Sequence, residues 1–130
     1  ETEIVGVVAE GAPAYALSFA AGRRIETAEA TTFADGIAFR SPDPWALEVI
    51  GRGVSRFVTV SEAGLAEAVR ACHADTHNLA EGAGAAALAG AMADAAAGRL
   101  AGCRRIGVVL SGGNIDAALY AGLIAAPEAA

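Results

Sequence analysis

Apolar residues fall along this chain in runs of strand length and in helical stripes, one after the other. Ile4-Val5-Gly6-Val7-Val8-Ala9 is an unbroken apolar run, which predicts a strand buried on both faces. Glu10-Gly11-Ala12-Pro13 ends it and opens a helix over 14–21 that Gly22 stops. Residues 23–34 have little periodicity and read as loop or short strand, and Asp35-Gly36 is a turn signal. Ser41-Pro42-Asp43-Pro44 marks a helix start with proline in the first turn. That helix is expected over 44–52, with Trp45, Val49 and Leu47 turned inward. Phe57-Val58-Thr59-Val60 predicts a second strand. Ser61 then caps a helix reaching Thr76, in which Leu65, Val69 and Cys72 recur at i, i+4 and i+7. Beyond Glu81-Gly82 come a small-residue helix over 83–97, a third apolar strand over 105–110, a tight loop at Ser111-Gly112-Gly113-Asn114 and a last helix over 115–123. The tail over 125–130 is expected to fray.

Strands that alternate with helices predict an α/β fold with a mainly parallel sheet. A parallel sheet needs cover on both faces, and three strands make a small one, so the sheet is expected to continue in another segment. Residues 1–124 read as one domain or part of one. The missing initiator methionine at Glu1 points the same way, to an excised piece. So few parallel strands leave apolar edge exposed, so the chain is expected to form a homo-oligomer or to sit inside a larger polypeptide.

Composition narrows the chemistry. Apolar residues make up 55% of the 130 positions and the mean hydropathy is +0.45, which excludes disorder along the whole chain. A formal charge of −6 without a basic patch argues against a nucleic-acid partner. All nine basic residues are arginine, so no lysine chemistry can come from this chain. Cys72 and Cys103 are distant and lie in apolar surroundings, and they read as buried thiols in a reducing cytoplasm. No apolar run reaches the ~18–20 residues of a membrane span; the stretch over 83–97 is interrupted by Gly84, Gly90 and Asp94.

Polar groups at strand–helix junctions are the candidate ligand contacts, because α/β folds bind at the carboxyl ends of their strands. They are Glu10, Ser61-Glu62 and Ser111-Gly112-Gly113-Asn114. The Ser111 loop can bring backbone and a hydroxyl close to a ligand, or simply form a turn capped by asparagine. Glu81 before a small-residue helix can face a ligand, or only the helix dipole. His73 and His77 stand at i, i+4, a metal-binding spacing, but with no third ligand they read as a solvated helix end. No GxSxG elbow supports a serine hydrolase.

Five short motifs occur in one order: Glu10-Gly11-Ala12-Pro13-Ala14-Tyr15-Ala16, Ala34-Asp35-Gly36-Ile37-Ala38, Val58-Thr59-Val60-Ser61-Glu62, Ala80-Glu81-Gly82-Ala83-Gly84-Ala85-Ala86 and Val108-Val109-Leu110-Ser111-Gly112-Gly113-Asn114-Ile115-Asp116. In that order the chain resembles the C-terminal part of serine/threonine dehydratases. These are fold type II pyridoxal 5′-phosphate enzymes, grouped with serine racemase and tryptophan synthase β-like proteins. The resemblance runs from Ile4 to Leu123. It implies a three-layer, parallel-sheet portion of the large domain, with Ser111 bonded to the cofactor's pyridine nitrogen. Gly112, Gly113 and Asn114 would shape the same wall, Glu81 would lie beside the cofactor, and Asp35 and Gly36 would line the ring face.

The resemblance also implies a Mg²⁺ or Ca²⁺ site at Glu10 and the Ala14 carbonyl, but its third position is Ala16, which has no side-chain oxygen. The family's Schiff-base lysine and phosphate loop have no counterpart here, so the chain alone is expected to be inactive and its partners to be the rest of the same enzyme and a small amino-acid substrate. The implied activity is a cytoplasmic ammonia-lyase giving a 2-oxo acid and ammonia. Two other readings are an amino-acid racemase on the same scaffold and a non-catalytic module that binds a small molecule.

Overall fold

A computed structural model describes residues 2–125. Two parallel strands, β1 (Val5–Ala9) and β2 (Arg56–Val60), pair in the register Val5 to Arg56 through Ala9 to Val60. Between them run α1 (Ala14–Ala21), a short 3₁₀ turn at Asp35–Ile37 and α2 (Pro44–Gly53). After β2 come α3 (Glu62–Thr76), α4 (Gly82–Ala96) and α5 (Ala117–Ala125).

The boundaries follow local chemistry. Gly22 closes α1 at φ 62, a left-handed conformation that costs glycine little. The Asp43 side chain accepts from the Ala46 N–H to start α2, with Pro44 in the first turn, and Ser61 Oγ accepts from the Gly64 N–H at 3.1 Å to start α3. α5 begins two residues later than expected, because Asp116 Oδ1 accepts from the N–H groups of Ala118 and Leu119 and so caps it. Ala125 is the last residue of that helix; the rest of the expected frayed tail, 126–130, lies outside the described residues.

Side-chain alternation sorts the sheet into two faces. Val7, Ala9, Val58 and Val60 meet α4, against which α3 packs in turn. Leu65, Val69 and Cys72 of α3 fill that core as the helical stripe predicts, and burial pushes the Cys72 thiol up. The opposite face carries Gly6 and Phe57. Phe57 packs on Phe19 of α1 with ring centroids 5.3 Å apart, so helices cover both faces.

Three expectations need correction. Trp45 and Val49 are 73% and 48% exposed, because α2 touches only α1 among the other elements and presents Ala46, Leu47 and Ile50 as its more covered positions. Cys103 is exposed, since it sits in a turn beyond α4 and outside the core. Residues 105–110 form no strand. They are extended and exposed, and no described strand lies beside them to complete a ladder.

Asp94 is the buried carboxylate of the fold. It accepts from Arg56 Nη2 at 2.6 Å and from Arg99 Nε at 2.6 Å, tying the start of β2 to the end of α4. Those bonds, that from Arg56 foremost, hold its carboxyl below the usual aspartate range, while burial acts in the opposite direction. Among the described residues, no helix is long and apolar enough to cross a membrane.

Candidate functional site

The first turn of α4 is where the candidate residues converge. Glu81 is its N-cap and makes no side-chain capping bond. Its backbone N–H donates instead to the Gly112 carbonyl at 3.2 Å, which lays the Ser111 loop across the helix start. Only glycines allow this approach. A Cβ on Gly84 would strike the Gly112 carbonyl oxygen, and one on Gly112 would strike Oε1 of Glu81.

A second loop reaches the same turn from the other side. A Cβ on Gly36 would lie 2.9 Å from the Ala83 methyl, and one on Gly82 would lie 2.5 Å from the Phe33 ring. Asp35-Gly36, Glu81 and Ser111-Gly112-Gly113 therefore surround one helix start. Asp35, Gly36, Ser111, Gly113 and Asn114 are exposed there, and Glu81 and Gly112 are half-buried. The Ser111 hydroxyl has no hydrogen-bond partner among the described residues, so it is free to meet a ligand. It does not stand at the end of a strand as expected, because the segment before it is unpaired.

Other sequence candidates lie outside this cluster. Glu10 is exposed, and the Ala14 carbonyl already accepts the Ser18 hydroxyl at 2.7 Å. With Ala16 as the third position, this set does not fit a hard cation that wants several oxygens. His77 is the left-handed C-cap of α3, and His73 Nδ1 is 3.0 Å from the Tyr120 hydroxyl. Among the described residues, no group of three His, Cys, Asp or Glu could hold a metal. A cavity of about 580 Å³ lies elsewhere, between β1 and residues 102–108, and none of the candidate ligand residues lines it.

Sequence reasoning placed Glu62 only at a junction and missed its contact. Its Oε2 accepts the Phe33 N–H at 2.9 Å, across 29 positions, which no local pattern announces.

The cluster offers one wall for a flat polar ligand: a free hydroxyl, a carboxylate and glycine backbone on one side, with the Asp35-Gly36 loop opposite. These groups fit the ring of a pyridine cofactor on that side. The chain has no lysine to bond such a cofactor covalently.

Residues 1–112 match the family described as pyridoxal-phosphate dependent enzyme. The chain is 31% identical over 116 residues to L-threonine ammonia-lyase of Thermotoga maritima, covering 89% of this chain and 28% of that one. Among solved structures it resembles a bacterial threonine deaminase (T.th.), with TM-score 0.76 and 31% identity over 88% of this chain and 41% of that one. It also resembles maize serine racemase, with TM-score 0.83 and 26% identity over 92% of this chain and 37% of that one. The chain thus spans well under half the length of each of these proteins.

Proposed function

The chain belongs to the pyridoxal-phosphate dependent enzyme family, and from that premise we propose that it is the C-terminal portion of a serine/threonine dehydratase, an ammonia-lyase that converts a hydroxy amino acid to a 2-oxo acid and ammonia. The observation that carries this reading is the convergence of Asp35-Gly36, Glu81 and Ser111-Gly112-Gly113 on the first turn of α4. The relative named L-threonine ammonia-lyase supports a lyase over the racemase that the maize structure's title suggests.

Pyridoxal phosphate, when bound, supplies an electron sink for the charge left on the substrate's α-carbon. The residues of this chain set how that sink behaves. The Ser111 hydroxyl can donate to or accept from the pyridine nitrogen, and being neutral it does not force that nitrogen to carry a proton. A milder sink suits loss of the β-hydroxyl over longer-lived carbanion chemistry. Gly112 and Gly113 keep the wall thin enough for a ring to approach, and Asp35-Gly36 bounds the opposite side. The covalent lysine, the proton transfer it performs and the phosphate cradle come from the rest of the polypeptide, so this chain alone is inactive. The complete enzyme works in the cytoplasm as a homo-oligomer; two free cysteines and no disulfide among the described residues suit a reducing compartment.

The test uses the complete polypeptide. It should purify with the visible absorbance of bound cofactor and release ammonia and 2-oxo acid from L-threonine or L-serine. Bound cofactor with inverted amino acid as the main product would establish the racemase instead, and a protein that takes up no cofactor would leave only the binding-module reading.

A further inference from the structure

We propose that Glu62 is a positioning residue that holds the Asp35-Gly36 loop against the start of α4. This rests on the reading of that cluster as a cofactor wall. Residues 23–40 connect α1 to α2 with no regular structure beyond the turn at Asp35–Ile37, so their placement depends on anchors. The early part is tied by Thr31 N–H to the Gly11 carbonyl at 2.8 Å and by Thr27 N–H to the Arg40 carbonyl at 2.9 Å. Immediately before the turn, the polar tie to another element is the 2.9 Å bond from Phe33 N–H to Glu62 Oε2.

The position of Glu62 gives that bond leverage. It is the first residue of α3, directly after the Ser61 cap at the carboxyl end of β2. It thus joins the loop to the end of the sheet where ligands bind. A carboxylate is also favoured at a helix N-terminus, and a bond from backbone N–H to carboxylate is stronger than a neutral one. On the far side, Phe33 and Ala34 rest on Gly82, and Gly36 rests on Ala83. The loop is therefore held from two sides: by glycine contact with α4 and by the charge of Glu62 on α3. Releasing Phe33 frees the two residues after it to lift Asp35-Gly36 off α4. Glu62 touches neither substrate nor cofactor in this scheme and acts through the Phe33 backbone.

Two substitutions in the complete polypeptide test this. Glu62→Gln keeps an acceptor oxygen and Glu62→Ala removes it. Amide exchange at Phe33 should speed up by about tenfold in Glu62→Ala and stay within about twofold of wild type in Glu62→Gln. The KM for the amino acid should rise several-fold in Glu62→Ala with a smaller change in kcat and an unchanged Tm, and Glu62→Gln should restore it. Unchanged Phe33 exchange in Glu62→Ala would overturn the proposal. So would a KM rise that Glu62→Gln shares, or one that only follows a loss of Tm. If the wild-type protein binds no cofactor, the dehydratase reading fails by itself, and Phe33 exchange still decides whether Glu62 anchors the loop.

Discussion

Two five-residue stretches of this chain are almost the same sequence and have different structures. Val5-Gly6-Val7-Val8-Ala9 is β1, while Ile106-Gly107-Val108-Val109-Leu110 is extended but pairs with nothing described. Val8 is 6% exposed and its positional counterpart Val109 is 72% exposed. Propensity does not separate them, since both are β-branched runs around a glycine. The neighbours do: β1 has β2 alongside, α4 on one face and α1 on the other. A strand is half of a ladder, and its measured preference reflects what lies beside it.

The contrast extends to the other edge of β1. The Glu10 N–H donates to Val60 and the Ile4 carbonyl accepts from Ser55, so the even-numbered groups of β1 face β2. Those of Val5 and Val7 therefore point away from β2. Val5 and Val7 line the 580 Å³ cavity together with Ile106 and Val108. The unpaired edge and the unpaired segment thus face the same gap.

The largest expected effect tests that gap. In the chain alone, amides of 106–110 should exchange nearly as fast as in an unfolded peptide, while those of Val58 and Val60 are protected. In the complete polypeptide, a strand seated in the gap should slow exchange at 106–110 by roughly a thousandfold or more, toward the global limit. Equal exchange in both settings would show that this segment remains unpaired in the complete protein.

The Asp94 network should give the next effect, because it sits on the ordered side of the contrast. Asp94→Ala removes two charge-assisted bonds and should cost about 1.5–3 kcal/mol in a urea titration at neutral pH. The pH dependence has a definite sign. Asp94 is depressed when folded, so its contribution is complete above the unfolded-state value near 3.8 and fades as pH falls through the lower folded value. The gap between wild type and variant should therefore close in acid. A gap that persists there would mean the loss comes from packing and not from charge.

The direct comparison comes third. Val8→Ala should cost about 2 kcal/mol by transfer and cavity terms, and Val109→Ala should change the stability of this chain by less than ~0.5 kcal/mol. Denaturation midpoints of the two variants would measure how much of a strand's energy belongs to its surroundings.

Legibility in the sequence follows the same divide. β1, β2, α3 and α4 are readable because run length, the Ser61 cap and the Leu65-Val69-Cys72 stripe are local signals. The strand expected at 105–110 and the inward turn expected of Trp45 fail because a buried face requires a neighbour, and a sequence does not show whether one is present. Glu62 with Phe33 and Asp94 with Arg56 are separated by 29 and 38 positions, so they too are out of reach. The candidate cluster is legible as a set of motifs, and its meeting point on α4 becomes visible only through the glycine contacts.

The smallest effect concerns Ser111, which lies where the two regions join. Its loop is fixed by Glu81 and Gly112 to the ordered half, while residues 105–110 leading into it are unpaired. Ser111 is exposed, so Ser111→Ala should leave the folding midpoint unchanged. In the complete polypeptide it should weaken cofactor binding by one hydrogen bond, about 0.5–1.5 kcal/mol, and lower turnover, as read by cofactor titration and ammonia release. Ser111→Asp should bind cofactor but favour a protonated pyridine and shift the products away from simple elimination. Unchanged cofactor affinity in Ser111→Ala would remove Ser111 from the wall and leave its loop a turn that only closes the start of α4.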